Sequence, residues 1–373
     1  MKLTGLTDVV EVARQGTALI ARLVGPSRVA STCGFNGGVR EDVSAVYNLQ
    51  CCEPACHDRV GAYIASRQRE QHDDLCRAHG LDPDATAGMV TAASMRRLGI
   101  GRRGFRGVEV LALVTAGVEG NAARAGDPAT LFEWDGAYEP VGTINTMVFF
   151  SHELAPGALL RSSITATEAK ASVLEDLAVG SCYSQGRATG TGTDQYVAAC
   201  PRGRGTRPLH GVGHHSVLGQ LLSEAVRDAL AEALSLQNGM TPASRRFVSV
   251  QLRRFGFSRE ALVVAAREVL DEADAALFEA NVLSTDGDPV AVAAAAGLAA
   301  ALDQLATGLL PRSCEPDIVD HYARMIAAAS SGGAASAQDF ARFGQDSPLA
   351  CVYAAMAIGF SRKWSALHAK AEG

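Results

Sequence analysis

Three groups of residues in this sequence have the types and spacing to do chemistry. The first is a single lysine. Of the 34 lysines and arginines only four are lysines, Lys2, Lys170, Lys363 and Lys370, so Lys170 is the one lysine away from the termini. Arginine is a planar cation that keeps its proton, whereas lysine is a compact ammonium that can lose it. A chain that has drifted to arginine yet keeps Lys170 points either to a role for an amine or to an ordinary salt bridge. The second group is Gly213-His214-His215-Ser216, which stands just before a helical stretch. There an imidazole beside free backbone N–H groups could work on a carbonyl. The third is Thr189-Gly190-Thr191-Gly192-Thr193-Asp194. Its glycines let backbone N–H groups approach a ligand or a developing oxyanion, and a plain Gly-rich turn before a strand reads equally well.

Other polar residues support these groups. Only six asparagines occur, and Asn36, Asn48, Asn121 and Asn145 all lie in the first half. Three of them sit beside glycine or at a strand end, although an Asn-Gly pair such as Asn36-Gly37 also simply makes a turn. On a helix over 156–177, Thr165, Glu168 and Ala169 share a face, while Lys170 lies about 140° from Thr165. Two clusters have metal-binding residue types: Cys51, Cys52, Glu53, Cys56 and His57 in one loop, and His72, Cys76 and His79 on one helix face. Neither shows the paired knuckles of structural zinc, so no cofactor is expected, with a divalent metal as the weaker alternative.

These residues need elements to position them. β-Branched runs predict strands over 19–31, 45–50, 87–92, 108–116, 143–150 and 195–199. Helical spacing predicts helices over 56–78, 156–177 and 216–236. Gly99-Ile100-Gly101-Arg102-Arg103-Gly104 spells the dinucleotide fingerprint but precedes a strand instead of following one, so it is expected to be a loop. The P-loop, HExxH and GxSxG motifs do not occur. Asn238-Gly239 marks a turn, and from about Ser244 the chain reads helical, with cap signals at Ser258, at Asp288-Pro289 and at Ser347-Pro348. The expected architecture is α/β or α+β: a mixed sheet with flanking helices over 1–240, then a helical region over 241–373. That region is expected to bury its apolar faces against the first domain or a second subunit.

Composition narrows the partners. The net charge of −6 and an aromatic content of 6% exclude a basic, base-stacking surface for nucleic acid. The longest apolar run, 290–302, is too short for a membrane span and is expected to be a core helix, so no membrane is expected. Nine scattered cysteines and an N-terminus without an apolar signal core fit reduced thiols in a cytoplasm.

Six strings in series carry a family resemblance. They are Ser31-Thr32-Cys33-Gly34-Phe35-Asn36-Gly37-Gly38, Val114 to Asp127 with its Gly120-Asn121, and Gly142-Thr143-Ile144-Asn145. Then follow Thr165-Ala166-Thr167-Glu168-Ala169-Lys170, Ala188 to Asp194, and His214-His215-Ser216-Val217-Leu218-Gly219. In this order, over about residues 25–235, they resemble the adenosylcobinamide amidohydrolases of corrinoid salvage. The resemblance implies hydrolysis of the amide joining aminopropanol to the corrin, giving adenosylcobyric acid, with a small-molecule corrinoid as partner and the oligomeric state open to a homodimer. Amide cleavage needs a base, oxyanion donors and an acid for the leaving amine. His215 is assigned as base and then acid, with Glu168 or Lys170 as its partner, Asp194 as a further catalytic residue and the Thr191–Thr193 loop as oxyanion donor. Asn36, Asn121, Asn145, Thr165, Thr167, Thr189, Thr191, Thr193 and His214 are the expected substrate contacts. The sequence departs from the family at His214-His215-Ser216, where Thr-His-Thr is expected, and at Gln220, where an acid is expected. Those departures leave open a non-corrinoid amide, or corrinoid binding without hydrolysis.

Overall fold

The computed structural model describes residues 2–6, 8–51, 68–129, 144–205, 207–332 and 348–371. The chain divides into two compact units, Met1–Thr241 and Pro242–Gly373.

The first unit is α/β, built on two sheets where the sequence suggests one. Strands β1 (Lys2–Leu6), β2 (Val10–Gln15), β3 (Ala18–Leu23), β6 (Ala45–Gln50) and β7 (Thr86–Thr91) form a five-stranded sheet in the order β1-β2-β3-β6-β7. Strands β4 (Ser27–Ser31), β5 (Gly38–Arg40), β8 (Gly99–Phe105), β9 (Val108–Ala116), β11 (Ile144–Phe150) and β13 (Gln195–Pro201) form a six-stranded sheet in the order β5-β4-β13-β11-β9-β8. A short ribbon joins β10 (Ala122–Ala123) to β12 (Gly190–Thr191). Both sheets are mixed: β6 runs parallel to β7 and β11 parallel to β13, and the other pairs are antiparallel.

Side-chain alternation builds the layers. Along β6, Val46 enters the core between the sheets, while Ala45 and Tyr47 turn outward to Leu75 and Cys76 of α1 (Gln68–Ala78). Along β9, Leu111 and Leu113 face the inter-sheet core, while Val110, Ala112 and Val114 pack under α2 (Pro156–Asp176) and α3 (Val217–Asn238). The result is a helix–sheet–sheet–helix stack. The predicted strand 19–31 is corrected to two strands in different sheets, because Gly25 takes φ +82° and Pro26 follows it. The GxGxxG string is corrected from loop to strand β8. A Cβ at Gly99 or Gly101 would collide with the carbonyl oxygen of Ala229 or Ala225, so these glycines serve the close approach of α3 to the sheet.

The second unit is helical: α4 (Pro242–Arg245), α5 (Val248–Leu252), α6 (Arg259–Val269), α7 (Glu272–Asp286), α8 (Pro289–Thr307), α9 (Glu315–Ser331) and α10 (Pro348–Ala371). Ser258 caps α6 by accepting from the Ala261 N–H, and Asp288 caps α8 by accepting from Val290 and Ala291. Helix α8 is long and apolar enough to cross a membrane, yet Ala291, Ala295, Leu298 and Ala299 lie in the unit's own core with Phe278, Ile326 and Met356. The apolar faces of this unit therefore bury one another.

Candidate active site

At one end of the inter-sheet core, the inward positions change from apolar to polar. Along β9, Leu111 and Leu113 give way to Thr115, and along β11, Phe149 and Met147 give way to Asn145. Along β13, Ala199 and Val197 give way to Gln195, and along β6, Val46 gives way to Asn48. The register places Asn145 opposite both Thr115 and Gln195. Hydrogen bonds then tie the two sheets together. Asn48 donates from Nδ2 to Thr115 Oγ1 at 2.9 Å, and Asn145 donates from Nδ2 to Asn48 Oδ1 at 2.8 Å and to the Val90 carbonyl at 3.1 Å. One level further out, Gln50 Oε1 accepts from the Met95 N–H and Thr91 Oγ1 from the Ala93 N–H, each at 3.0 Å.

Oxygens at this end are buried without a hydrogen-bond partner among the described residues: Asn145 Oδ1, Thr193 Oγ1 and Gln195 Oε1, with Ser31 Oγ on the neighbouring strand β4. Leaving a buried acceptor unsatisfied costs about 1–3 kcal/mol, so grouped examples mark a place where a ligand or solvent completes the bonding. The Asn145 amide cannot turn over. Its Nδ2 faces a backbone carbonyl, which only accepts, so Oδ1 is the atom left unpaired among the described residues. Cys33 is also buried on the inter-sheet side, and burial pushes its thiol up to about 12 against the lowering effect of Ser31. It is a protonated, unreactive thiol at neutral pH.

The turn that leads into β13 is held by the lone interior lysine. Lys170, on α2, pairs with Asp194, and both side chains are largely buried at 13% and 16% exposure. Asp194 also accepts from the Thr191 N–H at 3.0 Å and the Thr191 hydroxyl at 2.5 Å. Thr189 Oγ1 accepts from the Ala125 N–H. Asn121 stands one residue before the ribbon that pairs Ala122 with Thr191. A Cβ at Gly190 would lie 2.7 Å from Lys170 Nζ and would strike Asp194, so glycine is required for this closeness. Of the turn's three threonines, Thr189 and Thr191 are spent on the turn, and Thr193 keeps its hydroxyl for something else. The Thr191 N–H, expected as an oxyanion donor, is committed to Asp194.

The other expected site residues lie elsewhere. Glu168 is two positions from Lys170, about 200° around the helix, and faces away from that pair. It bonds His214, Nε2 to Oε2 at 2.6 Å, with both side chains more than half exposed. His215 is exposed and bonds neither Glu168 nor Lys170, so the expected pairing is corrected: the histidine that meets Glu168 is His214, and Lys170 is taken by Asp194. Thr165 is buried and donates to the Val212 carbonyl at 2.8 Å, and Thr167 is exposed on α2. Asn36 takes φ +52° and spends its amide hydrogens on the carbonyls of Pro83 and Thr86 at 2.6 and 2.7 Å, which is the turn-making role.

On the helix face of His72, Cys76 and His79, the two histidines are engaged in hydrogen bonds of the fold. His72 donates from Nε2 to the Pro83 carbonyl at 2.8 Å, which makes Nδ1 the acceptor for the Tyr47 hydroxyl at 2.9 Å. His79 instead bonds Gln15. Residues 52–57 of the cysteine-rich loop lie outside the described residues, and among those described no three His, Cys, Asp or Glu converge as metal ligands. The sequence reading missed Asn48, Thr115 and Gln195 as site residues. Their signal was an apolar inward row turning polar at the same end of neighbouring strands, which only the strand register reveals.

The family model of adenosylcobinamide amidohydrolase (CbiZ) matches residues 3–242, nearly two-thirds of the chain and the whole two-sheet unit. The chain belongs to the adenosylcobinamide amidohydrolase family. The polar layer, the Lys170–Asp194 pair and the His214–Glu168 pair all lie within the family match, and the helical unit lies beyond it. An uncharacterized protein of Methanocaldococcus jannaschii is 32% identical over 172 residues, 43% of this chain. The chain spans 66%, just under two-thirds, of that relative's length. Among solved structures, a β-aminopeptidase of a Burkholderia species is 15% identical, with 63% of this chain and 88% of that one covered at a TM-score of 0.33. An L-aminopeptidase D-Ala-esterase/amidase of Ochrobactrum anthropi is also 15% identical, with 65% and 89% covered at a TM-score of 0.26.

Proposed function

We propose that this protein hydrolyses the amide between aminopropanol and the corrin of adenosylcobinamide, using water to release aminopropanol and adenosylcobyric acid. The observation that carries this reading is the family match over the whole two-sheet unit. The geometry supports it with uncharged hydrogen-bonding groups left unsatisfied among the described residues, suited to an uncharged amide. In this reading Asn145 and Gln195 orient the amide, and the Thr193 hydroxyl, without a partner among the described residues, donates to the carbonyl oxygen as it gains charge. Lys170 and Asp194 act as positioning residues that hold the turn carrying Thr193. The expected departure at Gln220 lies apart from this layer: Gln220 is exposed and donates to Glu224 one turn along α3.

The test is direct. Purified protein is incubated with adenosylcobinamide, and free aminopropanol is measured by mass spectrometry. Release at a rate that Thr193→Val lowers by about a hundredfold supports the reading. A shift in corrinoid absorbance on mixing without aminopropanol release would instead indicate a binding protein.

A further inference from the structure

We infer that the polar layer discriminates the amide substrate from the carboxylic acid it becomes, and so expels the product. The inference rests on the amide-hydrolase reading and deepens it.

The layer offers acceptors where it is incomplete. Asn145 is fully buried, and its Oδ1 is fixed as the unpaired atom because Nδ2 is held by the Val90 carbonyl and Asn48. Gln195 lies beside it in register on the neighbouring parallel strand, on the same face, and its Oε1 is likewise buried without a partner among the described residues. Asn145 Oδ1, which cannot turn over, requires a donor beside it, and Gln195 Oε1 as placed shares that donor. The N–H of an amide is such a donor, and so is the hydroxyl of an amino-alcohol substituent. A carboxylate is acceptor-only, and in the same place it would set oxygen against oxygen. Among the described residues no cation in the layer offsets that repulsion: the inward Asn48, Thr115, Asn145 and Gln195 are uncharged. The nearby ammonium of Lys170 is already neutralised by Asp194. Hydrolysis exchanges the N–H of the bound group for a second carboxylate oxygen, so the chemical step itself converts a matched ligand into a mismatched one.

The test compares an amide with its acid in the full chain by ligand-observed saturation-transfer NMR. The probes are N-(2-hydroxypropyl)propionamide and propionate, with adenosylcobinamide and adenosylcobyric acid as a parallel pair. Wild-type protein should favour the amide fragment over propionate by at least about tenfold. Gln195→Met, which removes the acceptor at nearly constant size, should bring that ratio below about threefold. Gln195→Glu, which keeps an acceptor, should preserve or raise it. A purely structural role for Gln195 would not separate these two variants. Equal signals from amide and acid, no signal from either fragment, or a Gln195→Met protein that keeps the wild-type ratio each overturn the inference. Fragment discrimination with neither corrinoid bound would leave the inference standing and overturn the corrinoid substrate instead.

Discussion

A lysine kept in a chain otherwise supplied with arginine is explained here by space. Lys170 reaches Asp194 across a gap that exists because residue 190 has no Cβ. A guanidinium is wider than an ammonium and needs a planar partner, so Lys170→Arg should fail to seat. Breaking a largely buried pair costs about 3 kcal/mol, which in a unit of this size lowers the melting temperature by roughly 6–12 °C. Amide hydrolysis should fall at least about tenfold as Thr193 loses its place. His215→Ala is the contrasting control. His215 is exposed and outside the layer, so its removal should leave kcat/KM within about threefold, and a loss of a hundredfold or more would return the base role to it. Cys33 sets a different expectation, on pH. Its thiol is raised from 9.0 to about 12 in the folded protein, so between those values the unfolded chain gives up the proton first and stability must fall as pH rises. Urea midpoints at pH 8, 9 and 10 should decline, and Cys33→Ala should flatten the decline by up to about 1.4 kcal/mol per pH unit.

At the scale of elements, the sequence was a good guide to what was a strand or helix and a poor one to which strands met. The runs at 45–50 and 108–116 are strands β6 and β9 with the predicted limits, because buried apolar residues stand on both faces of each. The candidate site was only partly legible for the same reason. Lys170, Asp194, Thr193 and Asn145 stood out by residue type, but Asn48 and Thr115 belong to strands of different sheets and read as ordinary polar positions until they face each other. His215 stood out as a titratable group, yet no local pattern distinguishes it from His214 in reaching Glu168. Glycine in β8 misled most. Its spacing imitates a nucleotide loop, whereas the physical demand is contact with a helix backbone. Gly101→Ala should therefore push α3 off the sheet and destabilise the protein by at least about 2 kcal/mol, read as a lower denaturant midpoint with an unchanged slope. A neutral result would mean that the helix has room to move.

For the whole molecule, two boundaries coincide. The family match ends at residue 242, and the two-sheet unit ends at Thr241. The core clusters respect the same boundary: every residue of the clusters between and around the sheets precedes it, and every residue of the helical cluster follows it. The turn at the boundary is built for a stop, since Gly239 takes φ +63° as the C-cap of α3 and Pro242 opens the next helix. A unit that owns its core has no need of its neighbour to satisfy it. Residues 1–241 expressed alone should therefore be soluble, unfold in one cooperative transition and keep the amide-hydrolysing activity of the full chain within about threefold. Residues 242–373 alone should also melt cooperatively, and the calorimetric trace of the full chain should be close to the sum of the two. Aggregation of 1–241, or a full-chain transition much higher than either fragment's, would show that the apolar surface of one unit depends on the other, as the helix composition alone had suggested. Retained folding with lost activity would assign the helical unit a part in substrate binding, and the fragment's affinity for adenosylcobinamide, measured by absorbance titration, would show which step it serves.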